Sequence, residues 1–170
     1  KVSGCVLTSN AGSNDGGGIY NALGSRLTVS DGTTVSYNSA DFGGGIASRG
    51  ELTVSGSNVS YNSSTSYAGG IGNAAGVLTV SVSTISHNTA VNEGGGIYNS
   101  NALTVSASTL SYNSARDGGG IFTADGSVTV SYSGNTLVLS AVGGGDTVVY
   151  NEQVTASSCN ATNGGYMVNG

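Results

Sequence analysis

Five times along the chain the same alternation of apolar and hydroxyl residues returns: Leu27-Thr28-Val29-Ser30, Leu52-Thr53-Val54-Ser55, Leu78-Thr79-Val80-Ser81, Leu103-Thr104-Val105-Ser106 and Val128-Thr129-Val130-Ser131. A period of two sends apolar side chains to one face of a strand and hydroxyls to the other, and it excludes a helix there. Ahead of each segment an isoleucine follows a glycine cluster (Ile19, Ile46, Ile71, Ile97, Ile121). A third apolar column, Leu7, Val35, Val59, Ile85 and Leu110, is followed three residues later by Asn10, Asn38, Asn62, Asn88 and Asn113. The glycine clusters begin at Gly16, Gly43, Ala68, Gly94, Gly118, Gly143 and Gly164, spaced 27, 25, 26, 24, 25 and 21 residues apart.

That period is too short for a four-stranded propeller blade and fits one turn of a solenoid with three short strands joined by tight turns. The pattern predicts an all-β fold: a right-handed parallel β-helix, a three-sided solenoid of about six coils of roughly 25 residues. Coils stacked about 4.8 Å apart place like upon like, so Leu27, Leu52, Leu78, Leu103 and Val128 form one buried column that no single repeat could bury alone. The asparagines form a structural ladder at a turn, their amides bonding to the coils above and below. The glycines occupy a corner that demands positive φ or close backbone approach. A phosphate-cradling role for them is excluded, since no helix and no Lys-Ser/Thr pair follows.

The pairing of apolar-x-x-Asn with G-G-[GA]-I, as in Val35-Ser36-Tyr37-Asn38 with Gly43-Gly44-Gly45-Ile46, resembles the repeats of polymorphic membrane proteins and autotransporter passengers, within a broader group of bacterial parallel β-helix proteins. The resemblance runs from Val2 to Ile121 and implies this fold together with secreted or cell-surface residence; adhesins and surface-layer proteins carry such repeats. Beyond it the pattern weakens: the asparagine column is interrupted at Val138, and Asp146 stands where an isoleucine should follow Gly143-Gly144-Gly145. Residues 1–136 are read as regular coils, the first incomplete, and 137–170 as atypical terminal coils serving as a cap or subunit-contact region.

Composition narrows the function. Only 8% of residues are charged and Lys plus Arg total four against nine acids, so no basic stripe exists to neutralise a phosphate backbone, and nucleic acid is excluded as a partner. No apolar run is long enough for a membrane helix, so membrane insertion is not expected. With 30 Gly and no Pro the chain is neither collagen-like nor a Pro-rich linker.

Parallel β-helices also carry polysaccharide lyases and hydrolases, which need a basic residue or paired carboxylates on one face. Here the only cations are Lys1, Arg26, Arg49 and Arg116, each in a turn or at a terminus. Asp15, Asp41, Glu93 and Asp117 stand just before glycine clusters, about one per coil, and so form an acidic column; since turn chemistry favours acids there, they are read as screened turn residues in preference to a calcium site. His87 shares the column of Tyr37, Tyr61 and Tyr112 and is read as a structural member whose rings shield the asparagine ladder. No catalytic, cofactor-binding or metal-binding residue, and no cofactor, is expected.

Two cysteines, Cys5 and Cys159, near opposite ends, are too few for a disulfide framework. The repeats align Val2-Ser3-Gly4-Cys5 with Val54-Ser55-Gly56-Ser57, and the terminal segment Gly164-Gly165-Tyr166-Met167-Val168 reads as the opening strand of a further coil. Head-to-tail stacking would complete one coil from residues 164–170 and 1–15, bringing Cys159, placed in the tyrosine column, near Cys5 of the next subunit, with Lys1, Val2, Tyr166 and Met167 at the interface; alternatively, other parts of a longer protein cover both edges. The expected function is an extracellular structural solenoid, a surface adhesin or a filament subunit that associates head-to-tail with itself. A carbohydrate-binding or polysaccharide-degrading module, with surface glycans as partners, is the alternative. An ice-binding solenoid, suggested by the rank of Thr28, Thr53, Thr79, Thr104 and Thr129 beside its serines, comes third.

Overall fold

A computed structural model describes residues 1–125 and 127–131 and, beyond them, the strands Val138–Ala141, Thr147–Val149, Val154–Ala156, Asn160–Ala161 and Tyr166–Val168. The chain is an all-β solenoid, without helix among the described residues, built of parallel strands stacked turn upon turn. Five register steps carry the second face from Val2 through Val29, Val54, Val80 and Val105 to Val130, giving about five turns about 25 residues apart. Three sheets of seven strands form the sides. The first runs from Ile19–Asn21 to Tyr166–Val168, the second from Val2–Ser3 to Val154–Ala156, and the third from Val6–Thr8 to Asn160–Ala161.

Register follows the side chains. Leu52, Leu78, Leu103 and Val128 stack in one column, Ile46, Ile71, Ile97 and Ile121 in a second, and Val35, Val59, Ile85 and Leu110 in a third. All are buried, and together they fill the bore of the solenoid. Because each turn covers the apolar face of the one before, burial is shared between neighbours and no turn is stable by itself.

A fourth, three-stranded parallel sheet, made of Ser39–Phe42, Ser63–Tyr67 and Thr89–Ala90, lines the path from the third face to the glycine corner. Its inward positions are only Ala40, Ser64 and Ala90, all buried. Small inward residues give a weak alternation, and for that reason the sequence pattern showed three sides.

Two register details differ from the sequence reading. Val138 pairs with Thr109 and Leu139 with Leu110, and after a shift Ala141 stands beside Asn113. By this register the residue beside Asn113, where the asparagine column is interrupted, is Ala141 and not Val138. The strand Asn160–Ala161 pairs with Val138–Leu139, at the start of the third face and not at its tyrosine end. Cys159, Asp146 and the glycines at 143–145 lie outside the described residues.

Candidate functional surface

The third face ends in a corner where one residue adopts left-handed φ: Ser9, Tyr37, Tyr61, His87 and Tyr112, all between 55° and 58°. Such a φ costs a non-glycine residue about 1–2 kcal/mol. The corner turns the following asparagine inward. Asn10, Asn38, Asn62 and Asn88 each donate through Nδ2 to Oδ1 of the asparagine in the next turn, at 2.9–3.0 Å, and each backbone N–H reaches the same oxygen. The second Nδ2 hydrogen of Asn38, Asn62, Asn88 and Asn113 goes to a carbonyl of the preceding turn: Leu7, Val35, Val59 and Ile85. These four side chains are buried, with both amide groups satisfied, which is what lets a polar residue sit in the bore.

The same corner throws the aromatic side chains outward into a stack. Successive ring centroids of Tyr37, Tyr61, His87 and Tyr112 lie 5.0, 4.7 and 4.9 Å apart, with interplanar angles of 5°, 17° and 24°. Tyr37 is 60% and Tyr112 57% exposed, so the stack presents ring edges and phenol hydroxyls to solvent while its ring faces are spent on one another. A second aromatic cluster was not visible in the sequence. Tyr98 packs edge-on against Phe42 (centroids 5.7 Å apart) and touches Tyr67 (5.5 Å) and Phe122 (5.6 Å). Gly72 occupies the outward position between Ala47 and Tyr98, and a Cβ there would meet the Phe42 ring, so the gap in the column is what seats that ring.

The proposed acidic column is corrected by the backbone bridges. Asp15 pairs with Phe42, Phe42 with Tyr67, Tyr67 with Glu93 and Glu93 with Asp117. Asp41 lies one residue off the column and accepts a hydrogen bond from Thr65 Oγ1 at 2.7 Å. Two aromatic residues thus interrupt the acids, and only Glu93 and Asp117 are direct neighbours. Each of the four cations has a carboxylate partner: Lys1 with Asp31 (3.1 Å), Arg26 with Glu51 (2.7 Å), Arg49 with Asp15 and Arg116 with Asp117 (both 2.9 Å). Among the described residues no three His, Cys, Asp or Glu converge as metal ligands would.

Burial, then the Asp117 charge, pushes the Glu93 carboxyl above its ordinary range, while Arg116 partly offsets this. The charged form is thus penalised in the folded state, and the penalty is present above the folded pKa and absent below the unfolded one. Glu93→Gln is expected to raise thermal stability slightly at pH 7, by less than about 1 kcal/mol, and to make no difference once the pH falls below about 4. Melting curves at the two pH values check this. Asp31 is the opposite case: hydrogen bonds from Ser3, Lys1 and Ser30 hold its carboxyl at about 2. Its contribution is present above the ordinary aspartate pKa and is lost as pH falls from there through about 2.

Cys5 is exposed, its backbone N–H bonded to Thr33 Oγ1 (3.3 Å) and its thiol to the Ser3 carbonyl (3.2 Å). It begins a hydroxyl ladder that the sequence reading missed. Ser57 N–H donates to Ser83 Oγ and Ser83 N–H to Ser108 Oγ, at 3.2 and 3.1 Å, while each hydroxyl caps the carbonyl two residues earlier. Its signal is the recurrent Ser-x-Ser of Ser55-Gly56-Ser57, Ser81-Val82-Ser83 and Ser106-Ala107-Ser108. The middle residue again has left-handed φ: 55° at Gly56, 50° at Val82 and 44° at Ala107. A β-branched residue is strained there. Val82→Gly keeps the N–H bond to the Ser106 carbonyl and should gain about 1 kcal/mol in a denaturant titration, relief of strain outweighing the entropy of the added glycine.

Of the remaining interface candidates, Lys1 is held by Asp31, Val2 packs against the core beside Val29, and Tyr166 and Met167 pair with Thr147 and Val148 on the first face. In the second-face hydroxyl rank Ser81 Oγ donates to Ser55 Oγ at 3.1 Å, so part of that rank bonds within itself. Compared with protein-family models, curated proteins and solved structures, the chain matches none, and the β-solenoid architecture itself is what the observations establish.

Proposed function

We propose that this chain is an extracellular structural solenoid that works by shape, as a surface adhesin or a self-assembling filament subunit, and not as a catalyst. The observation that carries this reading is stacking of like on like through the regular turns. Asparagine bonds to asparagine, ring stacks on ring and leucine covers leucine at a constant register, so each turn is a template for another turn of the same repeat. A second copy supplies such a turn, and head-to-tail addition continues the parallel ladders of the three faces. Residence outside the cell accords with a surface whose polarity comes from Ser, Thr and Asn and with the resemblance of the repeats to those of surface proteins.

The absence of catalysis is part of the proposal. All four cations are tied to carboxylates, which opposes their use as the free base that a polysaccharide lyase requires. Electron microscopy with sedimentation over a concentration series tests the assembly: rods that lengthen with concentration are expected, and monodisperse particles throughout would remove the filament reading. Sustained turnover of acidic polysaccharides by pure protein would overturn the non-catalytic part.

A further inference from the structure

The fourth sheet floors a groove of about 380 Å³ whose lining includes Ser13, Ser39, Asp41, Ser63, Thr65 and Thr89. We propose that this groove binds a neutral saccharide. Hydroxyl groups donate and accept, as the hydroxyls of a sugar require, and Asp41, exposed and already accepting from Thr65, adds an acceptor for a further sugar hydroxyl. Val91, exposed, also lines the groove and gives it an apolar wall.

Sugars pair polar hydroxyls with apolar C–H faces, so outward hydroxyls beside the apolar Val91 wall suit them. Three turns about 4.8 Å apart present this floor over about 10 Å, the length of a disaccharide unit.

Charge selects within the class. The one carboxylate in the lining is Asp41, and no Lys or Arg lines the groove, so an acidic sugar meets repulsion and no compensating cation. This separates the groove from a site for uronate polymers. It does not depend on assembly into filaments, and either idea can fail alone.

The test is calorimetric and NMR titration of the full chain with maltohexaose, cellohexaose and chitohexaose, and with hexagalacturonate as the charged comparator. Saturable binding of at least one neutral hexasaccharide is expected, with amide shifts concentrated at Ser39, Ser63, Thr65 and Thr89. Asp41→Ala and Val91→Glu should each weaken it about tenfold or more. Both residues are exposed, and unchanged melting curves verify that the variants fold. No saturable binding of any neutral hexasaccharide, shifts confined to other faces, affinity unchanged in both variants, or preference for hexagalacturonate would each overturn the proposal.

Discussion

Gly95→Ala is expected to cost about 4 kcal/mol or to prevent folding altogether. Gly95 is the middle glycine of its cluster, and a Cβ there would fall 2.5 Å from both the Gly119 and the Ser114 carbonyl oxygens. These are backbone atoms of the next turn, and the Gly119 oxygen is already held by the Gly96 N–H at 2.9 Å. They have no side-chain freedom with which to yield, so the turns must separate and the ladders on either side stretch with them. Gly24→Ala is the control: its φ is 75° but nothing lies within 4 Å of an added Cβ. It should lose only the cost of left-handed φ, about 1–2 kcal/mol. Denaturant titration of both variants reads the contrast. Equal losses would mean that conformation, not close approach, is what the cluster serves.

Asn88→Ala should lower stability by about 3 kcal/mol. Asn88 is fully buried, donates to the Val59 carbonyl and to Asn113 Oδ1, and accepts from the backbone and side-chain nitrogens of Asn62, all within 3.0 Å. Truncation removes these four hydrogen bonds inside the bore at once, leaving Asn113 Oδ1 only the residue-88 backbone N–H, where no solvent can replace the amide. Asn10→Ala, at the exposed start of the ladder, removes only the side-chain donor to Asn38 Oδ1, whose bond from the residue-10 backbone N–H remains, and should cost about 1 kcal/mol. A graded loss from Asn10 to Asn88 supports a cooperative ladder. Melting temperatures unchanged by Asn88→Ala would count against it.

The asparagine ladder, the apolar columns and the parallel stacking could all be read from the chain, because each depends on two things a sequence displays: a constant period and an alternation of inward and outward residues. Once Leu52, Leu78 and Leu103 recur at one interval, burial allows only one register, since a slip of a single residue would turn Thr53, Thr79 and Thr104 into the bore. The tertiary structure decided what happens at the corners. There one residue in left-handed φ, or one bulge such as the shift between Ser64 and Tyr67, changes which side chain reaches a column. That is how Phe42 displaced Asp41 from the supposed acidic column and Ala141 took the place assigned to Val138. It is also why the fourth sheet escaped notice, its inward Ala40, Ser64 and Ala90 being too small to show a period, and why the hydroxyl ladder and the Tyr98 cluster did, their partners meeting only when successive turns are stacked.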